Sequence, residues 1–122
     1  MKFLVFSDSD YNFSAKLATI CDLGSDKLFF LNDFNSLCKF KDKDNLLLII
    51  DFDDYSKNLE LVINSIKKIG NFSTCILINK IDSKFHKKAT SIGFDIVMSK
   101  KMFLMNIKTI KAQISNNLKS IQ

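Results

Sequence analysis

The 122-residue chain has no arginine, no proline and no tryptophan, only three glycines and a single histidine. Without arginine the net charge of +5 rests on lysine alone, which lacks the planar fork that reads base edges in pairs. The lysines are scattered among aspartates and asparagines, and aromatics are not interleaved with them in a stripe, so direct nucleic-acid binding is not expected. The lone His86 sits in Lys84-Phe85-His86-Lys87-Lys88 without a suitably placed cysteine or serine partner. It reads as a surface residue in a basic segment that could touch an acidic partner. Cys21, Cys38 and Cys75 are odd in number and widely spaced, which excludes a metal or redox motif and leaves buried free thiols. No apolar run reaches membrane-spanning length, and the four apolar residues after Met1-Lys2 are too few for a signal-peptide core. The expectation is one cytoplasmic domain over 1–122, with no membrane partner. The missing proline and tryptophan, beside abundant Lys, Asn, Ile and Phe, read as codon bias.

The hydrophobic share of 47% is enough for a substantial core. Its densest stretch is Leu46-Leu47-Leu48-Ile49-Ile50, running straight into Asp51-Phe52-Asp53-Asp54. An uninterrupted aliphatic run of this length suits a central parallel strand covered on both faces, and in such sheets ligands bind beyond the strands' carboxyl ends. Lys2–Phe6, ending in Ser7-Asp8-Ser9-Asp10, reads as a second acid-tipped strand; further strands are predicted at Lys27–Leu31, Thr74–Ile78 and Asp95–Met98. Between them, helical spacing predicts helices over Tyr11–Leu23, capped by Ser9 or Asp10 and ended by Gly24, then over Asp33–Phe40, Asn58–Ile69 and Ser83–Ile92. The sign-alternating run Lys41–Asn45 reads as a solvated loop and Phe52–Lys57 as an acidic one. A last helix carries the stripe Leu104, Ile107, Ile110, Ile114, Leu118 and Ile121. Five strands alternating with five helices over short connections imply a parallel sheet between two helix layers, a flavodoxin-like three-layer fold.

In a parallel sheet the strand ends that precede helices gather at one edge, so Asp8, Asp51, Asp53, Asn79 and Lys100 are expected to converge. Crowded carboxylates repel, and the usual resolutions are a raised pKa or a hard cation such as Mg²⁺. Here the chain resembles the response-regulator receiver family of two-component signalling, over essentially its whole length. The resemblance implies a (βα)5 sandwich with strand order 2-1-3-4-5 and Asp51 as phospho-acceptor. It also implies Mg²⁺ held by Asp8, Asp51 and the Asp53 backbone carbonyl. Asn79, or Ile78 if the register slips by one, falls where the family has its phosphoryl-sensing Ser or Thr. Ser99-Lys100-Lys101-Met102-Phe103 matches the lysine-bearing run after the fifth strand. The implied partners are a histidine kinase or phosphotransfer protein and a downstream signalling protein or output domain. No enzymatic activity is implied beyond Mg²⁺-dependent self-phosphorylation.

Four positions depart from the pattern. Ser7 removes one metal-site carboxylate; Asn79 replaces a hydroxyl with a larger amide; Val97 stands where an aromatic switch residue is usual. Lys101 replaces proline, where a non-proline cis bond would cost about 2.5–4 kcal/mol, so Lys100 can point differently or Lys101 can substitute for it. The departures favour a second reading, a pseudo-receiver acting as a phosphorylation-independent interaction module. Asn79-Lys80-Ile81-Asp82 also spells a guanine-recognition motif, but the first strand leads into an acidic, glycine-free turn that cannot cradle a triphosphate.

Overall fold

The computed structural model describes residues 1–40, 45–55 and 57–121, with side chains as far as residue 114. Five parallel strands, β1 (Lys2–Phe6), β2 (Lys27–Phe30), β3 (Leu46–Asp51), β4 (Ser73–Ile78) and β5 (Ile96–Ser99), form one sheet in the order β2-β1-β3-β4-β5. The flavodoxin-like architecture and the strand order are as expected. β3 lies between β1 and β4, with Phe6 opposite Ile50 and Asp51 opposite Leu77. All six of its residues are buried, which is why this segment is aliphatic throughout.

Alternation along the strands sends side chains to two separate cores. Leu4, Phe6, Leu48 and Ile50 meet α3 (Leu59–Ile69), α4 (Ser83–Ile92) and a short 3₁₀ helix (Phe34–Lys39) on one face. Phe3, Val5, Leu47 and Ile49 meet α1 (Tyr11–Leu23), α5 (Lys100–Met105) and α6 (Ile107–Ile121) on the other. Phe103 is fully buried in this second core and meets Phe3 edge-on, with ring centroids 6.4 Å apart. No helix among the described residues is long and apolar enough to cross a membrane.

Where strands hand over to helices, short polar side chains take up the orphan N–H groups of the first turn. Asp10 accepts from Phe13 N, Asn58 from Leu61 N, Asp82 from Phe85 N and Ser99 from Met102 N. Gly93 closes α4 at φ 127°, a left-handed conformation that disfavours any side chain.

Four expectations change. Phe34, Leu37 and Phe40 recur every third residue, and the segment forms a 3₁₀ helix instead of an α-helix, since three residues per turn stack all three against the core. The acidic segment after Asp51 is not a loop; Phe52–Tyr55 winds into a one-turn helix, α2. The C-terminal helix is two helices: the Asn106 side chain donates to Met102 O and its N–H to Phe103 O, ending α5 before Ile107 begins α6. Cys38 is exposed, whereas Cys21 and Cys75 are buried as expected; burial pushes the Cys21 thiol up to about 11. Of the loop assigned to Lys41–Asn45, all but Asn45 lies outside the described residues, as do the side chains of Leu118 and Ile121.

Candidate functional site

The register brings the carboxyl ends of β1, β3, β4 and β5 to one edge. Asp51, last residue of β3, is 1% exposed, and Lys100, first residue of α5, is 7% exposed. A charge so enclosed has to be paired. The Lys100 ammonium lies 2.9 Å from Asp51 Oδ2, 2.9 Å from Asp10 Oδ2 and 3.6 Å from Asp53 Oδ2. It also sits 5.8 Å from the centre of the Phe13 ring, whose face adds a weaker attraction. Burial pulls the Lys100 pKa down, but its bonds to Asp10 and Asp51 outweigh this and hold it above the usual lysine value.

Asp51 has two further partners. The Ser7 hydroxyl donates to Oδ2 at 2.8 Å, and the Asp53 backbone N–H donates to Oδ1 at 3.0 Å. Asn79 reaches the same edge, but its side-chain N–H donates to Asp53 Oδ2 at 3.0 Å. Of the expected site residues, Asp51, Asp53, Asn79 and Lys100 therefore form one connected network. Asp8 stands outside it: its backbone N–H donates to Asp54 Oδ2 at 2.8 Å, and the residue is exposed.

Two further acids contribute, Asp10, expected from the sequence as a possible cap of the first helix, and Asp54, which was not expected at the site. Asp10 serves at once as N-cap of α1 and as counter-ion to Lys100. The Phe13 N–H and then the Lys100 ammonium hold its carboxyl below the usual range. Asp54 clamps the β1–α1 turn to α2, accepting from Ser9 Oγ at 2.6 Å as well as from Asp8 N. Partial burial works to raise the Asp54 pKa, but the Ser9 and Asp8 donors overcome it and leave it below the usual value. The phenol of Tyr55 is raised by burial and then by the negative charges of Asp8, Asp54 and Asp51. The dense run Ser7-Asp8-Ser9-Asp10 announces this cluster, but spacing alone does not reveal which acid turns inward.

The donor set can be compared with what Mg²⁺ requires. The ion asks for octahedral oxygen ligands, usually including one or two carboxylates. Both Asp51 oxygens already accept from Ser7, Lys100 or the Asp53 N–H, and Ser7 supplies a hydroxyl donor where a carboxylate would be wanted. Among the described residues no three His, Cys, Asp or Glu side chains are grouped to hold a metal ion. As arranged, the Asp51 carboxylate is held by donors from within the chain.

No protein-family model matches the sequence, and no curated protein does. Solved structures do match. A response regulator from Thermotoga maritima superposes with a TM-score of 0.67 at 12% identity, over 91% of this chain and 97% of that one. A response regulator in red light signaling of R. palustris gives 0.62 at 18% identity, over 89% and 90%. The fold is that of a response-regulator receiver. The same receiver fold matches a candidate pilus assembly protein (cpaE) from Burkholderia thailandensis, with a TM-score of 0.65 at 14% identity over 93% and 98% of the two chains. Within the receiver fold, Asp51 and Lys100 lie at the carboxyl edge of the sheet, where open α/β sheets place their ligand chemistry.

Proposed function

We propose that this chain is a receiver-fold interaction module held in a single state by its own internal cation, acting by binding a partner protein and not by turnover. The observation that carries this reading is the position of the Lys100 ammonium among Asp10, Asp51 and Asp53, 2.9, 2.9 and 3.6 Å from their oxygens. It supplies from within the chain a positive charge that the crowded carboxylates would otherwise draw from a dissolved ion. The Ser7 hydroxyl on Asp51 Oδ2 strengthens the argument, since it adds a donor where metal binding would need another acceptor.

The closeness of Asp51 to Lys100 also favours a second reading, in which Asp51 accepts a phosphoryl group from a histidine kinase or phosphotransfer protein, with Mg²⁺, and relays the change to a partner or output domain. In that transfer an Asp51 oxygen would bond to phosphorus as the phosphorus–nitrogen bond of the donor phosphohistidine breaks, its electron pair staying on the imidazole. Lys100 would then neutralise charge on the transferred oxygens. Attack through Oδ2 would require that oxygen to exchange its Ser7 and Lys100 partners.

Incubation with Mg²⁺ and acetyl phosphate, followed by intact-mass measurement, separates the two. The interaction-module reading expects no phosphate-sized gain. A gain present in the native chain and absent from Asp51→Asn would overturn it in favour of the phospho-acceptor.

A further inference from the structure

Between the 3₁₀ helix, α2 and α3 lies a cavity of about 530 Å³. Its volume falls in the range of small-molecule sites, and its lining is mostly apolar with a few polar groups, as such sites require. Two aromatic rings stand together there. Tyr55, the last residue of α2, and Phe34, the first of the 3₁₀ helix, both line the cavity, with ring centroids 5.7 Å apart. Phe6, fully buried on β1, braces both, 4.8 Å from the Phe34 ring and edge-on to that of Tyr55 at 6.2 Å. The rings are thus in place before a ligand arrives, which removes the cost of ordering them.

The sign of the charge is set by α2. Asp53 and Asp54 line the cavity against one ammonium among the described residues, that of Lys57. Asp54 is fixed by the Ser9 hydroxyl and the Asp8 N–H, neutral donors that hold the carboxylate without cancelling its charge. Asp53 Oδ2 takes the Asn79 amide and lies 3.6 Å from Lys100, while Oδ1 accepts no hydrogen bond among the described residues. The negative potential reaches the rings, since Asp8, Asp54 and Asp51 add to burial in raising the Tyr55 phenol.

An aromatic face beside a carboxylate suits an organic cation, which is attracted by the ring and by the charge at once. A hard metal ion would gain only from the oxygens. A polypeptide would need apolar contact beyond the cavity, and of the large exposed hydrophobics only Leu61 lines it.

We infer that this cavity binds a small organic ammonium carrying an apolar body. The ammonium meets Asp53 and the face of Tyr55, and the body packs on Phe34 and Leu61. The inference goes beyond the interaction-module reading and holds whether or not Asp51 takes phosphate.

The test is an NMR titration of the full ¹⁵N-labelled chain with benzylamine, protonated at pH 7, beside benzyl alcohol and benzoate. Benzylamine is expected to shift the amides of Phe34, Tyr55, Leu61 and Ser65 saturably in the millimolar range. The alcohol binds about fivefold more weakly, the worth of one exposed charge pair, and benzoate leaves these amides unmoved. Asp53→Asn, whose side-chain oxygen can still accept from Asn79, weakens benzylamine by the same factor and leaves the alcohol unchanged. Salt at about 1 M, which screens charges beyond about 3 Å, brings the amine close to the alcohol in the native chain. Tyr55→Phe keeps the ring and keeps binding. Equal affinity for amine, alcohol and benzoate overturns the inference, as do shifts centred on another face or no shifts at all. Equal loss of amine and alcohol in Asp53→Asn also overturns it, because the residue would then act only by holding the cavity's shape. The titration contains neither Mg²⁺ nor phosphodonor, so phosphate uptake at Asp51 would sink the interaction-module reading without touching this result.

Discussion

Replacing Lys100 by methionine probes the acid network most directly. Methionine keeps an unbranched apolar stem against Phe13 and removes only the charge. Asp51, 1% exposed, would then retain the Ser7 hydroxyl and the Asp53 N–H but lose its only countercharge among the described residues. Breaking a buried pair by deleting one partner costs about 3–5 kcal/mol, and the two surviving hydrogen bonds place this case near 3. Asp10 adds little to the loss, because it is more accessible and keeps its bond from Phe13. For a chain of this size 1 kcal/mol moves Tm by about 4 °C, so Lys100→Met is expected to melt about 12 °C lower. Circular dichroism at pH 7 measures it. Adding Asp51→Asn to that variant removes the stranded charge, while the side-chain oxygen still accepts a hydrogen bond, and should recover most of the loss. A fall of less than about 2 °C for the single variant would refute the reasoning, since on the same scale it corresponds to only about 0.5 kcal/mol. Absence of recovery in the double variant would refute it equally.

Two further outcomes follow from the same geometry. The lowered carboxyls of Asp10 and Asp54 contribute stability that is fully present above their ordinary 3.8 and lost as pH falls through their lower native values. The raised Lys100 contributes stability fully present below its ordinary 10.5 and lost as pH rises beyond it. Urea midpoints should therefore form a plateau across neutral pH that falls at both extremes; a Lys100→Met profile that keeps the full alkaline fall would contradict the assignment. Gly93→Ala forces a side chain into φ 127° with its Cβ 2.8 Å from Lys67 Nζ. It should lower stability by about 1–3 kcal/mol in the same assay, the usual cost of such strain, and a neutral result would mean that the α4 terminus relaxes.

What was legible in the sequence was whatever depends on short-range pattern. The aliphatic run of β3 can only be buried on two faces, and Asp10 was one of the two residues expected to cap α1. Legibility failed where a side chain chooses between neighbours. Ser7-Asp8-Ser9-Asp10 offers two acids two residues apart, and the start of α1 decides between them: as N-cap, Asp10 is turned toward the sheet edge and meets Lys100, while Asp8 faces solvent. Asn106 is similar, because an asparagine inside a helical stripe breaks it only if its amide finds a carbonyl, and here Met102 O is in reach. The every-third-residue spacing of Phe34, Leu37 and Phe40 was visible, but it is compatible with an irregular α-helix until the packing is known.

The two oxygens of Asp10 have consequences for how this chain can drift. Oδ1 holds the start of α1 and Oδ2 holds Lys100, so the carboxylate sits at the positive end of a helix dipole as well as beside a cation. Asp51 has no helix of eight residues or more behind it and relies on Lys100 for its countercharge. One ammonium is thus shared by a partner that could do without it and a partner that could not. An asparagine or serine at position 10 would keep the cap and leave the lysine to Asp51 and the more distant Asp53, a step open to neutral change. Loss of the lysine is tolerable only after position 51 has ceased to be acidic, which fixes the order in which this site can be dismantled.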